Sequence, residues 1–199
     1  MTRILGIDTT GPHCQACLRE DATLLANVSE LIGRGHAEHL APMVADLLGD
    51  TPPASIDRVA VIMGPGSFTG LRVGLSFALG FALPHSIPVL GFTTLEAAAH
   101  ASPHATCAFT QDVRRGETAL LTKTDGILSP LSVLSTTEAL AHAATFPHHT
   151  IDPVPDLAAA TRLALTASPL DHPPTAVYAR PPDAKLPGGI DPHAPSNAS

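Results

Sequence analysis

Apolar and polar positions change their period several times along this chain, and each change marks an element. Residues 3–8, Arg-Ile-Leu-Gly-Ile-Asp, are an apolar run closed by a carboxylate, which predicts a buried strand. Residues 14–18 and 24–31 are two more short apolar segments, with Arg19-Glu20-Asp21 as the polar turn between them. Three strands on short connections predict an antiparallel meander. From residue 36 the period becomes helical. Ala37, Leu40, Ala41, Val44, Leu47 and Leu48 form a stripe over 36–48, and Pro42 inside it removes one intrahelical hydrogen bond and favours a bend. Gly49-Asp-Thr-Pro-Pro53 ends that helix. Residues 58–63 then read as a strand, 64–70 as a tight loop, 69–83 as a second helix, 88–92 as a strand and 95–101 as a short Ala-rich helix.

A meander followed by helix, strand, helix and strand predicts an α/β fold with a mixed sheet. Beyond residue 101 the pattern changes again. Strands are expected at 105–110, 118–123 and 127–134, and helices at 137–144 and 156–166. His148 and His149, beside Pro147, read as loop. Half of the 20 prolines follow Thr150, so residues 181–199 are expected to be loop or disordered. The shift places a boundary near residue 102, giving an N-terminal lobe (1–102) and a smaller C-terminal lobe (103–199).

Composition narrows the classes. With 44% hydrophobic and 15% charged residues the chain is not disordered as a whole. A formal charge of −7 and only two lysines, Lys123 and Lys185, argue against autonomous binding to a phosphate backbone. The longest apolar stretch, 73–83, falls short of the ~18–20 residues of a spanning helix. The N-terminal run carries one Arg and is interrupted by Asp8, unlike an export signal. Three cysteines make no disulfide framework, so the expected location is the cytoplasm, away from membranes.

The sharpest local feature is Gly64-Pro-Gly-Ser-Phe-Thr-Gly-Leu-Arg-Val-Gly74, a loop between a strand and a helix. There, backbone amides and the helix dipole can receive an anion, with Gly66, Ser67, Thr69 and the strand-end Asp8 as candidates. The loop lacks the Gly-Lys-Ser/Thr of a P-loop and the glycine spacing of a dinucleotide fingerprint. A tight turn with Ser67 or Thr69 as N-cap explains it equally well. In the helix that follows, Gly70, Gly74, Ala78 and Ala82 recur every fourth residue. Two helical glycines cost roughly 1 kcal/mol each relative to alanine, so close packing is expected on this ridge, against either its own sheet or a partner helix. Cys14-Gln-Ala-Cys17 has redox or zinc spacing, but residues three apart on a strand face opposite ways. His36 and His39 are one helical turn apart with no third ligand nearby. Asp8 and Asp112 are either paired carboxylates or turn formers.

Ile4-Leu-Gly-Ile-Asp-Thr-Thr10, Arg34-Gly-His36, Leu40-Ala-Pro-Met43 and the Gly64–Gly74 loop together resemble the TsaB (YeaZ) family. Gly91-Phe-Thr-Thr-Leu95, Asp112-Val-Arg-Arg-Gly-Glu117 and Tyr178-Ala-Arg-Pro-Pro-Asp-Ala-Lys185 fit the same pattern. The resemblance is dense over 1–100 and sparse beyond, where Thr118-Ala119 replaces the family's usual aromatic. It implies a two-lobed actin/hexokinase/Hsp70-like fold with a ribonuclease-H-like sheet and a reduced second lobe. It also implies a non-catalytic scaffold that dimerises with TsaD and activates threonylcarbamoyl transfer to the adenosine beside the anticodon of tRNA. The catalytic relative holds a metal through two histidines, and the matching positions here are Thr94 and Ala98. The resemblance further implies a TsaE-like ATPase as third member, tRNA reached only through the complex, and a homodimer when the chain is alone. No cofactor is expected on the isolated chain, while a nucleotide at the junction with TsaD is. On helix position, the expected partner-binding residues are His36, Leu40, Met43, Val44, Leu47, Gly70, Leu71, Gly74, Leu75 and Ala78, so Gly74→Leu is expected to break the complex and spare the fold. The competing functions are a metal-dependent glycoprotease-like peptidase, which needs ligands at His36 and His39, and a nucleotide phosphotransferase of the same fold, which needs Asp8 and the Gly64 loop.

Overall fold

The structure is a computed structural model that describes residues 1–178 of the 199-residue chain. The opening meander forms as expected: β1 (Arg3–Asp8), β2 (His13–Glu20) and β3 (Thr23–Leu31) pair antiparallel. Helix α1 (His36–Leu48) runs on through Pro42, which sits on the exposed side where water can satisfy the carbonyl it leaves unbonded. Strand β4 (Arg58–Ile62), helix α2 (Phe68–Ala82), strand β5 (Val89–Phe92) and helix α3 (Thr94–Ala101) follow. β4 lies parallel to β1, and β5 parallel to β4, so the first sheet has the order β3-β2-β1-β4-β5.

Alternation along the strands gives this sheet two buried faces. Leu5, Ile7, Cys14, Ala16, Val59 and Val61 point to one side, against Leu40, Met43, Val44 and Leu48 of α1 and Ala78 and Ala82 of α2. Ile4, Cys17, Ala60, Ile62, Leu90 and Phe92 point to the other. Cys14 and Cys17 therefore sit in different cores as free thiols, as their spacing on a strand requires.

The second sheet is built from β6 (Cys107–Asp112), β7 (Glu117–Thr124), β8 (Ile127–Leu128), β9 (Ser132–Ser135) and β10 (His149–Ile151), with α4 (Thr136–Ala143) between β9 and β10. β7 pairs antiparallel with β6, β8 and β9, and β10 runs parallel to β6. Two expectations are corrected here. The single strand expected over 127–134 is two strands, separated by a segment holding Pro130, which has no N–H for the ladder. His149, expected in a loop, is paired in β10, with its Nε2 2.7 Å from the Thr110 hydroxyl.

Helix α5 (Leu157–Leu163), capped by the Asp156 carboxylate on the Ala159 amide, does not cover the sheet it follows. Leu157, Ala160 and Ala164 close the second face of the first sheet, together with Ala97 of α3. Arg19, read from sequence as part of a turn, is a buried β2 residue. Its Nε donates to the Thr161 hydroxyl at 3.1 Å and its guanidinium to the Ala158 carbonyl at 3.1 Å. Arg58 donates to the carbonyls of Ala164 and Ala167 at the end of α5. Buried Lys123 does the same for α3, from the second sheet, through the carbonyls of Ala99 and Ser102. Arg58 and Lys123 thus meet carbonyls at helix C-termini, where the dipole favours positive charge, whereas Arg19 reaches the first turn of α5.

Candidate partner-binding face and interlobe cleft

Helices α1 and α2 lie side by side on the outer face of the first sheet. The small-residue ridge of α2 turns inward. A Cβ at Gly70 would run into the Thr9 carbonyl oxygen, and one at Gly74 would stand 2.5 Å from the Thr9 hydroxyl oxygen. That hydroxyl donates to the Gly70 carbonyl at 2.6 Å, so the residue that follows β1 packs closely on the first turn of α2. The glycines are thus explained by the protein's own sheet. A leucine at Gly74 would enter the core, so Gly74→Leu tests folding rather than partner binding.

The other residues expected at a partner seam follow the same geometry. His36, Leu40, Met43, Val44, Leu71 and Ala78 are buried, and Leu47 and Leu75 are half-buried against the same core. What the two helices expose is a different set. Ala37, Ala41 and Ala45 run up the outside of α1, and Arg72, Ser76, Leu79 and Gly80 up the outside of α2, with half-buried Val73 and Phe77 beside them. The helical period located the stripe, but apolar content alone points to its buried side. The outward side is recognisable only as the small residues left over.

Between the two lobes lies a cleft of about 1010 Å³. The β1–β2 turn (Thr10, Gly11, Pro12), the start of α1 (Arg34 to Glu38), the start of α2 (Gly66 to Gly70) and the start of the β6–β7 turn (Gln111 to Arg114) line it. Of the candidate anion-binding residues, Gly66, Ser67 and Thr69 are on its wall. Ser67 is the N-cap, its hydroxyl accepting the Gly70 amide at 3.2 Å. Asp8 is sealed beneath. Its Oδ1 accepts the amide and hydroxyl of Thr10 at 2.8 and 2.7 Å, and its Oδ2 accepts the Gln15 amide group at 2.8 Å. Burial pushes this carboxyl above its usual range, with the hydrogen bonds pulling the other way. Asp112 makes the equivalent turn in the second lobe, its Oδ1 accepting the Arg114 amide at 2.7 Å. Both aspartates therefore serve as turn formers, one at the head of each hairpin.

The two positions that the family resemblance implies for a catalytic relative's metal ligands are Thr94 and Ala98. Thr94 is buried with its hydroxyl donated to the Pro65 carbonyl at 3.0 Å, and Ala98 carries no ligand atom. His36 is buried, and His39 is half-exposed with its Nδ1 3.9 Å from Glu30. Among the described residues no three His, Cys, Asp or Glu side chains converge. No helix there is long and apolar enough to cross a membrane.

Two sheets that share the order of four strands, β3-β2-β1-β4 and β9-β7-β6-β10, each with an Asp-headed hairpin facing a common cleft, define the two-lobed actin/hexokinase/Hsp70 class of fold. A Pseudomonas aeruginosa protein described as similar to peptidase YEAZ has this fold, with a TM-score of 0.73 at 23% identity over 90% of this chain and 100% of that one. A family model described as TsaD: tRNA N6-adenosine threonylcarbamoyltransferase matches residues 27–127. The tRNA threonylcarbamoyladenosine biosynthesis protein TsaB of Escherichia coli is 42% identical over 95 residues, which is 47% of this chain and 41% of that protein. An uncharacterized Mycobacterium tuberculosis protein is 32% identical over 201 residues, 93% of this chain and 95% of that one. The chain belongs to the family that this model describes. The match spans less than half the length of the Escherichia coli relative.

Proposed function

We propose that this protein is a non-catalytic partner subunit in tRNA threonylcarbamoyladenosine biosynthesis, docking on a TsaD-like catalytic subunit and activating it. The observation that carries this reading is the pairing of a family match over residues 27–127, which contain α1, β4 and α2, with Thr94 and Ala98 at the two positions where the resemblance implies a catalytic relative's metal ligands. The chain keeps the lobe that relatives share and lacks the donor atoms of the transferase. The outer faces of α1 and α2 are the docking surface in this reading. Ala37, Ala41, Ala45, Ser76 and Gly80 let two partner helices approach closely as a four-helix seam. A TsaE-like ATPase is the third member, and tRNA is reached only through the complex, in keeping with the acidic charge. A nucleotide belongs at the junction between subunits, and the same face makes a homodimer when the chain is alone.

Reconstitution tests this directly. tRNA modification by the TsaD-like subunit of the same organism is measured with and without this chain, and with Ala41→Arg. Modification is expected to depend on the chain and to be lost with Ala41→Arg. That variant's own stability should stay within about 0.5 kcal/mol, because the site is exposed. Full modification without the chain would refute the reading.

A further inference from the structure

The segment that follows α5 returns as a strap across the glycine loop. It is tied at three points. The His172 carbonyl accepts the Gly91 amide at the β5 edge, with the His172 ring 4.9 Å from that of Phe92 and its Nε2 3.4 Å from Glu96. The Val177 amide donates to the Met63 carbonyl at 2.9 Å, and the Val177 side chain packs into the core beneath α1 and α2. Gly64 leaves room for this crossing, since a Cβ there would stand 2.9 Å from the Val177 carbonyl oxygen. The strap then reaches α2 at Tyr178. The Tyr178 ring lies 5.1 Å from that of Phe68, and its hydroxyl accepts the Arg72 Nε at 3.3 Å. The Arg72 guanidinium in turn lies 3.8 Å above the Phe68 ring.

This cluster is unlike the rest of the outer face. Phe68 and Tyr178 are each about two-fifths exposed, and Arg72 is exposed, beside a surface where Ala37, Ala41, Ala45, Ser76 and Gly80 are exposed along with Leu79. An exposed arginine loses several rotatable bonds when it is held, so fixing it in the free protein removes that cost from binding. Aromatic and arginine side chains are also those whose truncation most often weakens an interface.

We propose that Tyr178 is a positioning residue for the partner surface. It clamps Arg72 on Phe68 and makes the C-terminal strap part of the mechanism that presents the first turn of α2. The partner is the TsaD-like subunit, so the proposal rests on the reading above. The group on that subunit facing Arg72 is a carboxylate or a carbonyl cluster, the acceptors a guanidinium held by its Nε still has donors for.

The test uses the full chain and the TsaD-like subunit, with Tyr178→Ala, Tyr178→Phe and, as a control, His172→Ala. The control loosens the strap at its far end and leaves the clamp. Dissociation constants, thermal midpoints and amide exchange at Leu71 and Arg72 are measured for each. Tyr178→Ala is expected to weaken partner binding about tenfold, the size of one interface anchor. It should also speed exchange at the start of α2. Tyr178→Phe, which keeps the ring, should recover part of the affinity. His172→Ala should lower the midpoint and leave the affinity unchanged. Unchanged affinity in Tyr178→Ala would overturn the proposal. So would an equal affinity loss in His172→Ala, which would make the strap merely structural. Failure of the unmodified chain to bind the TsaD-like subunit would instead refute the partner reading itself, while the exchange measurement would still report the clamp.

Discussion

The elements β1-β2-β3-α1-β4-α2 and β6-β7-β9-α4-β10-α5 run through the same order, and their sheets pair alike, with a meander and then a parallel strand beside its first member. The first sheet is covered on both faces, by the long helices α1 and α2 on one side and by the short α3 and α5 on the other. The second has strands of two to eight residues, with α4 on one face through Ala139 and Ala143 and α3 on the other. The helix that should complete it, α5, has gone to the first sheet. Topology is therefore repeated and packing is not. An apolar helix goes where buried surface and backbone partners are available. For α5 those are Ile4, Cys17 and Ala60, with Arg19 and Arg58 meeting its carbonyls.

This contrast can be broken by substitution. The largest effect should come from Gly70→Ala, because its new Cβ overlaps a carbonyl oxygen that cannot move without β1. A cost of about 3 kcal/mol or more is expected by denaturant titration, at the upper end of overpacking effects. A loss below about 1 kcal/mol would mean that α2 does not sit on Thr9 as described.

Leucine truncations compare the cores next. Leu157→Ala, in the second half of the chain but in the first sheet's core, should cost about 3–4 kcal/mol. Leu120→Ala, in the small cluster under α4, should cost about 2 kcal/mol, because fewer neighbours surround it and the site can relax. The reverse order would place α5 with the second sheet.

The buried turn aspartate of the first lobe gives a subtler test. Asp8 titrates higher in the folded chain than its ordinary value of 3.8, so between those values the folded state binds more protons than the unfolded one. Its contribution to stability therefore falls as pH rises through that window and is flat above it. Asp8→Asn keeps an acceptor for Thr10 and removes the ionisation, so the stability of the variant relative to the parent should rise across the same window. A pH-independent difference would show that Asp8 is not buried as a carboxyl.

The smallest expected effect concerns the thiols on opposite faces of β2. Burial pushes both Cys14 and Cys17 up to about 11, which leaves almost no thiolate at neutral pH. Neither should be alkylated by iodoacetamide in the folded protein, and both should react together on unfolding. Mass spectrometry of labelled peptides reads this out. Selective labelling of Cys14 would show that the α1 side of the sheet opens first.

Much of this architecture is legible from residue types. Runs of apolar residues with period two or 3.6 placed β1 to β5 and α1 to α3, because each spans enough residues to show its period and each is punctuated by Gly, Pro or a capping residue. The Gly64–Gly74 segment announced both its family and its tight packing. Prediction frayed where elements are too short for any period. β10 has three residues and β8 two, and their strand state comes from pairing with β6 and β7. The candidate surface divided in the same way. Periodicity identified which residues of α1 and α2 form the apolar stripe but carries no sign that tells the protein's own core from a partner's.

By itself, then, the sequence determined the order of the elements from β1 to α3, the close approach required at the Gly64–Gly74 segment, the opposite facing of the two cysteines and the family. These are properties of local chemistry and spacing, which hold whatever the rest of the chain does. The tertiary structure decided which way the stripes face, which sheet α5 serves, what Arg19, Arg58 and Lys123 hold, and where Tyr178 lands. Each of these depends on residues distant in sequence: Gly70 against Thr9, Arg58 against Ala164, Tyr178 against Arg72. Contacts of that kind have no period, so only the folded chain could show them.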